Sequence, residues 1–300
     1  MLASELILNS KGHLYHLDLA PEHLADLILV VGDPGRVALL SQRLDSITYQ
    51  NTHREFTSCL GRSGDTDVLI LSTGMGSDNI DIVMNELDAL ASLHLPSGEP
   101  LPKPTKLTIV RVGTSGSLKE DIQPGDMLVS ASAVGVDLLG SFYGIPPVWR
   151  ALSASVESYL QPHGLTGYFT QCDPALIRSF GRGLKKGCTL SLPGFYAPQG
   201  RQLRLSAKIP DLMRIYTEME VDNNPITNIE METAAYYLLS KHFGHATLSL
   251  NAILANRVTG IFHPDPEKVI VKLIDHVFEH ISVWSATQVR PSDGGKLPRP

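Results

Sequence analysis

The segment Phe195-Tyr196-Ala197-Pro198-Gln199-Gly200-Arg201 places an aromatic ring, a side-chain amide and a guanidinium within seven residues, among the loop formers Pro198 and Gly200. The amide offers a donor and an acceptor face, and the guanidinium is a fixed fork of donors. A planar heterocycle with two carbonyls flanking an N–H, such as uracil, presents the complementary set. Taken alone the segment also reads as an ordinary surface loop. Its weight comes from other segments that supply ligands for an anion and a sugar.

Gly32-Asp33-Pro34-Gly35-Arg36 lies between an apolar run and a helical pattern. Backbone N–H groups at a helix start favour an anion, and glycine allows close approach. Arg36 would close over a phosphate with a forked contact, or simply decorate a strand-to-helix turn. Arg111-Val112-Gly113-Thr114-Ser115-Gly116 is read as a Gly-flanked turn after a second strand, forming another anion cradle. In α/β sheets ligands collect beyond the carboxyl ends of strands, so Arg36 and Arg111 are expected to converge. The alternative is Arg111 paired with a carboxylate such as Asp126. If Arg111 serves phosphate, replacing it with alanine should cut phosphate-dependent turnover strongly and leave the fold intact. Arg54, in Thr52-His53-Arg54-Glu55-Phe56, reads most simply as a solvated pair with Glu55. Asn228-Ile229-Glu230-Met231-Glu232-Thr233 is expected to open a helix, with Gly244 as its C-terminal stop. Its glutamates complement the helix dipole or grip a sugar diol through charge-assisted hydrogen bonds.

These residues need a scaffold. Leu27–Val31, Val68–Leu71, Leu107–Val110, Met127–Val134 and Ala246–Leu254 are continuous apolar runs, suited to strands covered on both faces. A helix with Ile80, Val83, Leu87 and Leu90 on one face follows the second run. A long helix is expected over Pro266–Thr287, with Val269, Leu273 and Val277 inward. The alternation predicts an α/β sandwich, organised as one domain over residues 1–300. Residues 94–106, with four prolines, read as a surface loop insertion and 290–300 as a frayed tail. Met75, Met84 and Met231 read first as core residues.

Composition narrows the function. With 43% hydrophobic and 19% charged residues the chain has an ordinary globular core, and its net charge of −6 supplies no basic field for nucleic acid. No apolar run approaches the length of a membrane span. Three cysteines without metal-ligand spacing, and an N-terminus without a signal-peptide pattern, point to a cytoplasmic protein with reduced thiols. Eleven histidines occur without HExxH or Cys–His spacing, so no metal is expected.

In chain order, Tyr15-His16-Leu17, Gly32–Arg36, His53–Phe56, Arg111–Gly116 and Glu230-Met231-Glu232 resemble the nucleoside phosphorylase superfamily. The Phe195–Arg201 segment resembles the base-reading loop of its uridine phosphorylase branch. The resemblance spans residues 13–285. It implies a three-layer α/β/α sandwich whose mixed sheet partly closes into a barrel. It also implies phosphorolysis of a pyrimidine nucleoside with inorganic phosphate as co-substrate and no cofactor. Gly32, Arg36, Arg111 and Thr114 would bind phosphate, joined by Arg54 from a neighbouring subunit. Thr114, Met231 and Glu232 would hold the ribose, with His16 of the neighbour at its 5′ side. Phe195, Gln199 and Arg201 would hold the base. Arg111, Glu232 and Arg201 are the residues expected to carry catalysis. At least a homodimer is implied, and some relatives are hexamers. Asn256-Arg257 stands where purine enzymes of this fold have Ser-Asp, which argues against purines. Glu55 and Asn79 fall where some relatives hold a monovalent cation. Competing readings are a purine or broad-specificity phosphorylase, a water-using nucleosidase and a non-catalytic binding module. Residues 94–106 and the apolar Leu138-Leu139 lie outside the motifs.

Overall fold

The computed structural model describes residues 4–288. Its strands are β1 (Leu27–Val31), β2 (Ser46–His53), β3 (Phe56–Ser63), β4 (Thr66–Ser72), β5 (Leu93–His94), β6 (Glu99–Pro100), β7 (Thr108–Ser117), β8 (Met127–Gly135), β9 (Tyr168–Gln171), β10 (Lys185–Ser191), β11 (Glu220–Val221), β12 (Asn224–Glu230), β13 (Ala246–Asn256) and β14 (Ile261–Phe262). The α-helices are α1 (Pro34–Ser41), α2 (Ser77–Ser92), α3 (Leu139–Tyr143), α4 (Arg150–Leu160), α5 (Pro174–Ser179), α6 (Leu212–Glu218), α7 (Thr233–Phe243) and α8 (Pro266–Thr287). No helix among the described residues is long and apolar enough to cross a membrane.

Twelve strands form one mixed sheet in the order β11-β12-β10-β8-β13-β7-β1-β4-β3-β2, with β14 on β13 and β9 on β8. A further pairing of β12 with β7 closes β7, β12, β10, β8 and β13 into a five-strand ring. The sheet lies between two helical layers, in which α2 packs on α7 and α5 on α8. This is the expected sandwich with a partly barrel-like sheet. The apolar runs become strands because both their faces are covered: all five residues of β1 are buried. Helix α8 has the predicted bounds and buries Val269, Leu273 and Val277. Gly244 ends α7 at φ +82°.

Four local expectations fail. Arg111–Gly116 is not a turn but the second half of β7. The strand continues because β13 pairs with it in parallel from Thr108 to Ser117. On its other edge β1 stops at Arg111 and β12 begins only at Gly116. This change of neighbour leaves an opening in the ladder at residues 112–115. Asn228–Glu230 likewise ends strand β12, and α7 starts only at Thr233. The segment 94–106 is at the surface but holds the β5–β6 hairpin and buries Leu95. Met75 is 74% exposed, whereas Met84 is fully buried. The predicted tail, residues 290–300, lies outside the described residues.

The ring interior is polar. Ser130 and Thr189 share a hydroxyl hydrogen bond of 2.6 Å, and Thr189 Oγ1 donates to Asn228 Oδ1 at 2.9 Å. Asn228 Nδ2 donates to Ser115 Oγ, and Asn251 Nδ2 donates to Ser130 Oγ, both at 2.9 Å. One such residue comes from each of the five strands, and all are buried. Removing one member leaves its partners desolvated without a bond. Thr189→Val, nearly the same size, should therefore destabilise the protein by about 1–3 kcal/mol, read from urea denaturation.

Candidate active site

The opening in β7 is where the charged residues gather. Arg111 is the last residue of β7 paired with β1, and it is 6% exposed. Its Nη2 donates to Glu232 Oε2 at 2.6 Å and lies 2.9 Å from Glu230 Oε2. Its Nη1 donates to Asn251 Oδ1 at 3.1 Å and Ser249 Oγ at 3.3 Å. Burial works against the guanidinium charge, and the two carboxylates more than offset it, so its pKa is raised. Gly113 is required beside it: a Cβ there would stand 1.8 Å from Arg111 Nη1. The carboxylates are Glu230 and Glu232; Asp126, the alternative from sequence, pairs instead with Lys185.

Glu230 ends β12 and is tied down on all sides. It accepts from Ser191 Oγ at 2.5 Å and from the N–H groups of Glu232 and Thr233 at 3.0 and 3.1 Å. It thus both caps the start of α7 and backs Arg111. Glu232 also accepts from the Gly76 N–H at 2.8 Å. Burial pushes the Glu232 pKa up; Arg111 opposes this and the Glu230 charge adds to it. Met231 sits between them, half-buried.

Arg36 comes from the first turn of α1 and donates Nη1 to the Val112 carbonyl at 3.1 Å. That carbonyl lies in the opening of the β7 ladder. Burial, then the charge of Arg111, lower the pKa of Arg36. Two guanidiniums that oppose each other at the carboxyl ends of parallel strands make a place for an anion. Gly32 belongs to the same place: a Cβ on it would lie 3.3 Å from the Gly74 carbonyl and 3.6 Å from Arg36 Nη2. Thr114 lies in the opening too, half-buried, with its hydroxyl unbonded among the described residues.

The Phe195–Arg201 segment follows β10 on the same end of the sheet. Gln199 is 2% exposed. Arg201 Nη1 donates to Gln199 Oε1 at 2.6 Å and to the Phe195 carbonyl at 2.7 Å, with its guanidinium 3.7 Å over the Phe195 ring. The amide oxygen is therefore taken within the loop, and Gln199 presents its Nε2 donor. Arg257 donates Nη2 to the Gln199 carbonyl at 3.1 Å, while its buried Nη1 has no hydrogen-bond partner among the described residues. Burial, then the charge of Arg257, hold the Arg201 pKa down to about 10. The Arg257 chain packs over Gly116, where a Cβ would lie 3.2 Å from its Cγ, joining this loop to β7.

Arg54 and His16 form a separate cluster. Arg54 and Glu55 are the two-residue loop closed by the His53–Phe56 pair, and Arg54 takes φ +56°. Arg54 turns away from Glu55 and donates to the Tyr15 hydroxyl at 3.1 Å. His16 is bonded to Glu86 through Nδ1 at 2.6 Å. Among the described residues neither bonds to Arg36, Arg111 or Glu232 within the chain. Asn79 and Glu55 both crowd Gly74.

The Phosphorylase superfamily model matches residues 26–271. The chain belongs to the phosphorylase superfamily. A uridine phosphorylase of Thermococcus kodakarensis is 27% identical over 93% of this chain and 91% of its own. A uridine phosphorylase of Escherichia coli is 27% identical over 83% and 88%. A DeoD-type purine nucleoside phosphorylase of Listeria monocytogenes is 22% identical over 82% and 88%. Among solved structures, a Trypanosoma brucei nucleoside phosphorylase that shows uridine phosphorylase activity superposes with a TM-score of 0.83. It is 26% identical, covering 93% of this chain and 99% of that one.

Motif reading passed over Ser249, Asn251 and Glu86. The first two had a signal: Thr247, Ser249 and Asn251 are a period-two polar stripe inside an otherwise apolar strand. Glu86, on a helix far along the chain from His16, had none. The geometry also alters the expectation for Arg111. Replacing it with alanine would strand Glu230 and Glu232 without a buried counter-charge, a loss of about 3–5 kcal/mol. Arg111→Ala should therefore lower the denaturation midpoint markedly as well as stop turnover. A midpoint equal to that of the wild type would refute this account of the clamp.

Proposed function

We propose that this pentosyltransferase cleaves uridine with inorganic phosphate to give uracil and ribose 1-phosphate. The observation that carries this reading is one line of groups along β7. Opposed guanidiniums (Arg36, Arg111) stand at one end, the Glu230–Glu232 carboxylates beside them, and a donor-only base loop at the other. Phosphate held by Gly32, Arg36, Arg111 and Thr114 attacks C1′ as the C–N bond breaks. Positive charge develops on the ribose, beneath which the phosphate dianion lies. Negative charge develops on the leaving base. Gln199 Nε2, Arg201 and the unpartnered Arg257 Nη1 are donors preset for the base oxygens, and Phe195 covers the ring. Such preorganised donors stabilise the transition state without reorganising. Holding both substrates in one groove adds an orientation effect.

Glu232, with Met231, holds the ribose. Its bond to Arg111 in the free enzyme keeps both groups in place until a diol and a phosphate arrive. Arg54 and His16 then serve a partner copy in a homodimer, or in a hexamer of such dimers, a reading supported by their lack of any bond to Arg36, Arg111 or Glu232 of their own chain among the described residues. Exposed Met75, Leu138 and Phe142 supply apolar surface of the kind an interface covers. A pocket of donors favours a ring with two carbonyls and opposes the exocyclic amine of cytosine. The arginine pair argues against a water-using nucleosidase, and Arg257 against a purine site that needs an acid.

The decisive assay is uridine turnover with and without phosphate, with inosine and cytidine as controls. Uracil and ribose 1-phosphate should form only with phosphate. Phosphate-independent uracil would mean hydrolysis, and turnover of inosine alone would overturn the base assignment. Gln199→Ala should raise the KM for uridine about tenfold while the KM for phosphate stays within about twofold. A change confined to phosphate would place the base elsewhere.

A further inference from the structure

Glu86 is a buried-side carboxylate on α2 whose acceptors are spent on one short segment. Its Oε1 accepts from His16 Nδ1 at 2.6 Å and from the His16 N–H at 3.1 Å, and its Oε2 accepts from the Leu17 N–H at 2.9 Å. The partners are 69 and 70 residues away in the chain. The His16 ring also stands edge-on to Tyr15 at 5.0 Å, and Tyr15 is in turn held by Arg54. The ring is thus fixed in position and roll, with its side chain 28% exposed. Among the described residues Nε2 has no hydrogen-bond partner. A carboxylate on Nδ1 keeps the proton there, which leaves Nε2 as an acceptor in the neutral ring.

We propose that Glu86 is a positioning residue: it fixes His16 as the Nδ1–H tautomer so that Nε2 accepts from the 5′-hydroxyl of a nucleoside in the partner copy's site. This rests on the phosphorylase reading above. Three bonds from one carboxylate would equally anchor the N-terminal segment, so the test must separate aiming the ring from holding the chain.

The test compares kcat/KM for uridine and 5′-deoxyuridine in wild type, Glu86→Ala, Glu86→Gln, His16→Ala and the double alanine variant. Two-bond 1H–15N spectra read the His16 tautomer in the same proteins. Glu86→Ala should lose about tenfold on uridine, the size of one good hydrogen bond, and less than about twofold on 5′-deoxyuridine. His16→Ala should match it, and the double variant should lose nothing more. Glu86→Gln, whose amide oxygen still accepts from Nδ1, should keep most of the uridine preference. The spectra should show Nδ1–H in the wild type and its loss in Glu86→Ala. Equal losses on both substrates would overturn the proposal in favour of simple anchoring, as would an Nδ1–H tautomer that survives Glu86→Ala. If wild type does not use uridine at all, the phosphorylase reading fails; the proposal then fails too if the tautomer does not follow Glu86.

Discussion

The interaction on which the rest depends is the clamp of Arg111 between Glu230 and Glu232. A guanidinium at 6% exposure is tolerable only with its charge matched and its N–H groups bonded. Both carboxylates come from the β12–α7 junction, so the clamp welds β7 to β12 where the strand ring closes. It also decides which end of the sheet becomes polar. The same two glutamates that make burial of Arg111 possible cap α7 and meet the Gly76 N–H, so β7, the end of β12 and the turn before α2 converge on one charge.

Behind the clamp stands the polar interior of the ring. Arg111 Nη1 rests on Asn251, Asn251 on Ser130, Ser130 on Thr189, Thr189 on Asn228 and Asn228 on Ser115. Ser115 is four residues from Arg111 on the same strand, so the chain of bonds returns to where it began. Such a network is costly if broken and rigid if complete. Its value to the candidate site is that the guanidinium has one place to be. Binding of an anion then requires no search among rotamers.

The ends of the candidate site differ in their electrostatics. At the anion end like charges oppose each other and carboxylates moderate them. At the end proposed for the base, Arg201 and Arg257 stand together with no carboxylate in contact among the described residues, and Gln199 Oε1 accepts from Arg201. The free protein is therefore short of acceptors at that end. On the proposed reading, a ring bearing two carbonyl oxygens would supply them, and would supply them better as it leaves with negative charge.

Much of this was legible in the chain itself. Apolar runs set the buried strands, since a strand covered on both faces must be apolar wherever no buried hydrogen-bond partner meets it, and α8 followed from its periodicity. The site motifs stood in recognisable order because each is a short run of residues contiguous in the chain. What sequence did not decide was anything that depends on a strand changing neighbours. The Arg111–Gly116 segment has the glycines of a turn, yet pairing with β13 keeps it extended. Glu230 and Glu232 looked like the first turn of a helix, yet the ring closure needed Asn228 and Ile229 as strand. Arg54 looked like half of a pair with Glu55, yet a left-handed backbone turns it to Tyr15. Glu86 and Asn251 lie 70 and 140 residues from the groups they orient. Spacing along a chain encodes local periodicity; only folding brings such distant residues within hydrogen-bond reach.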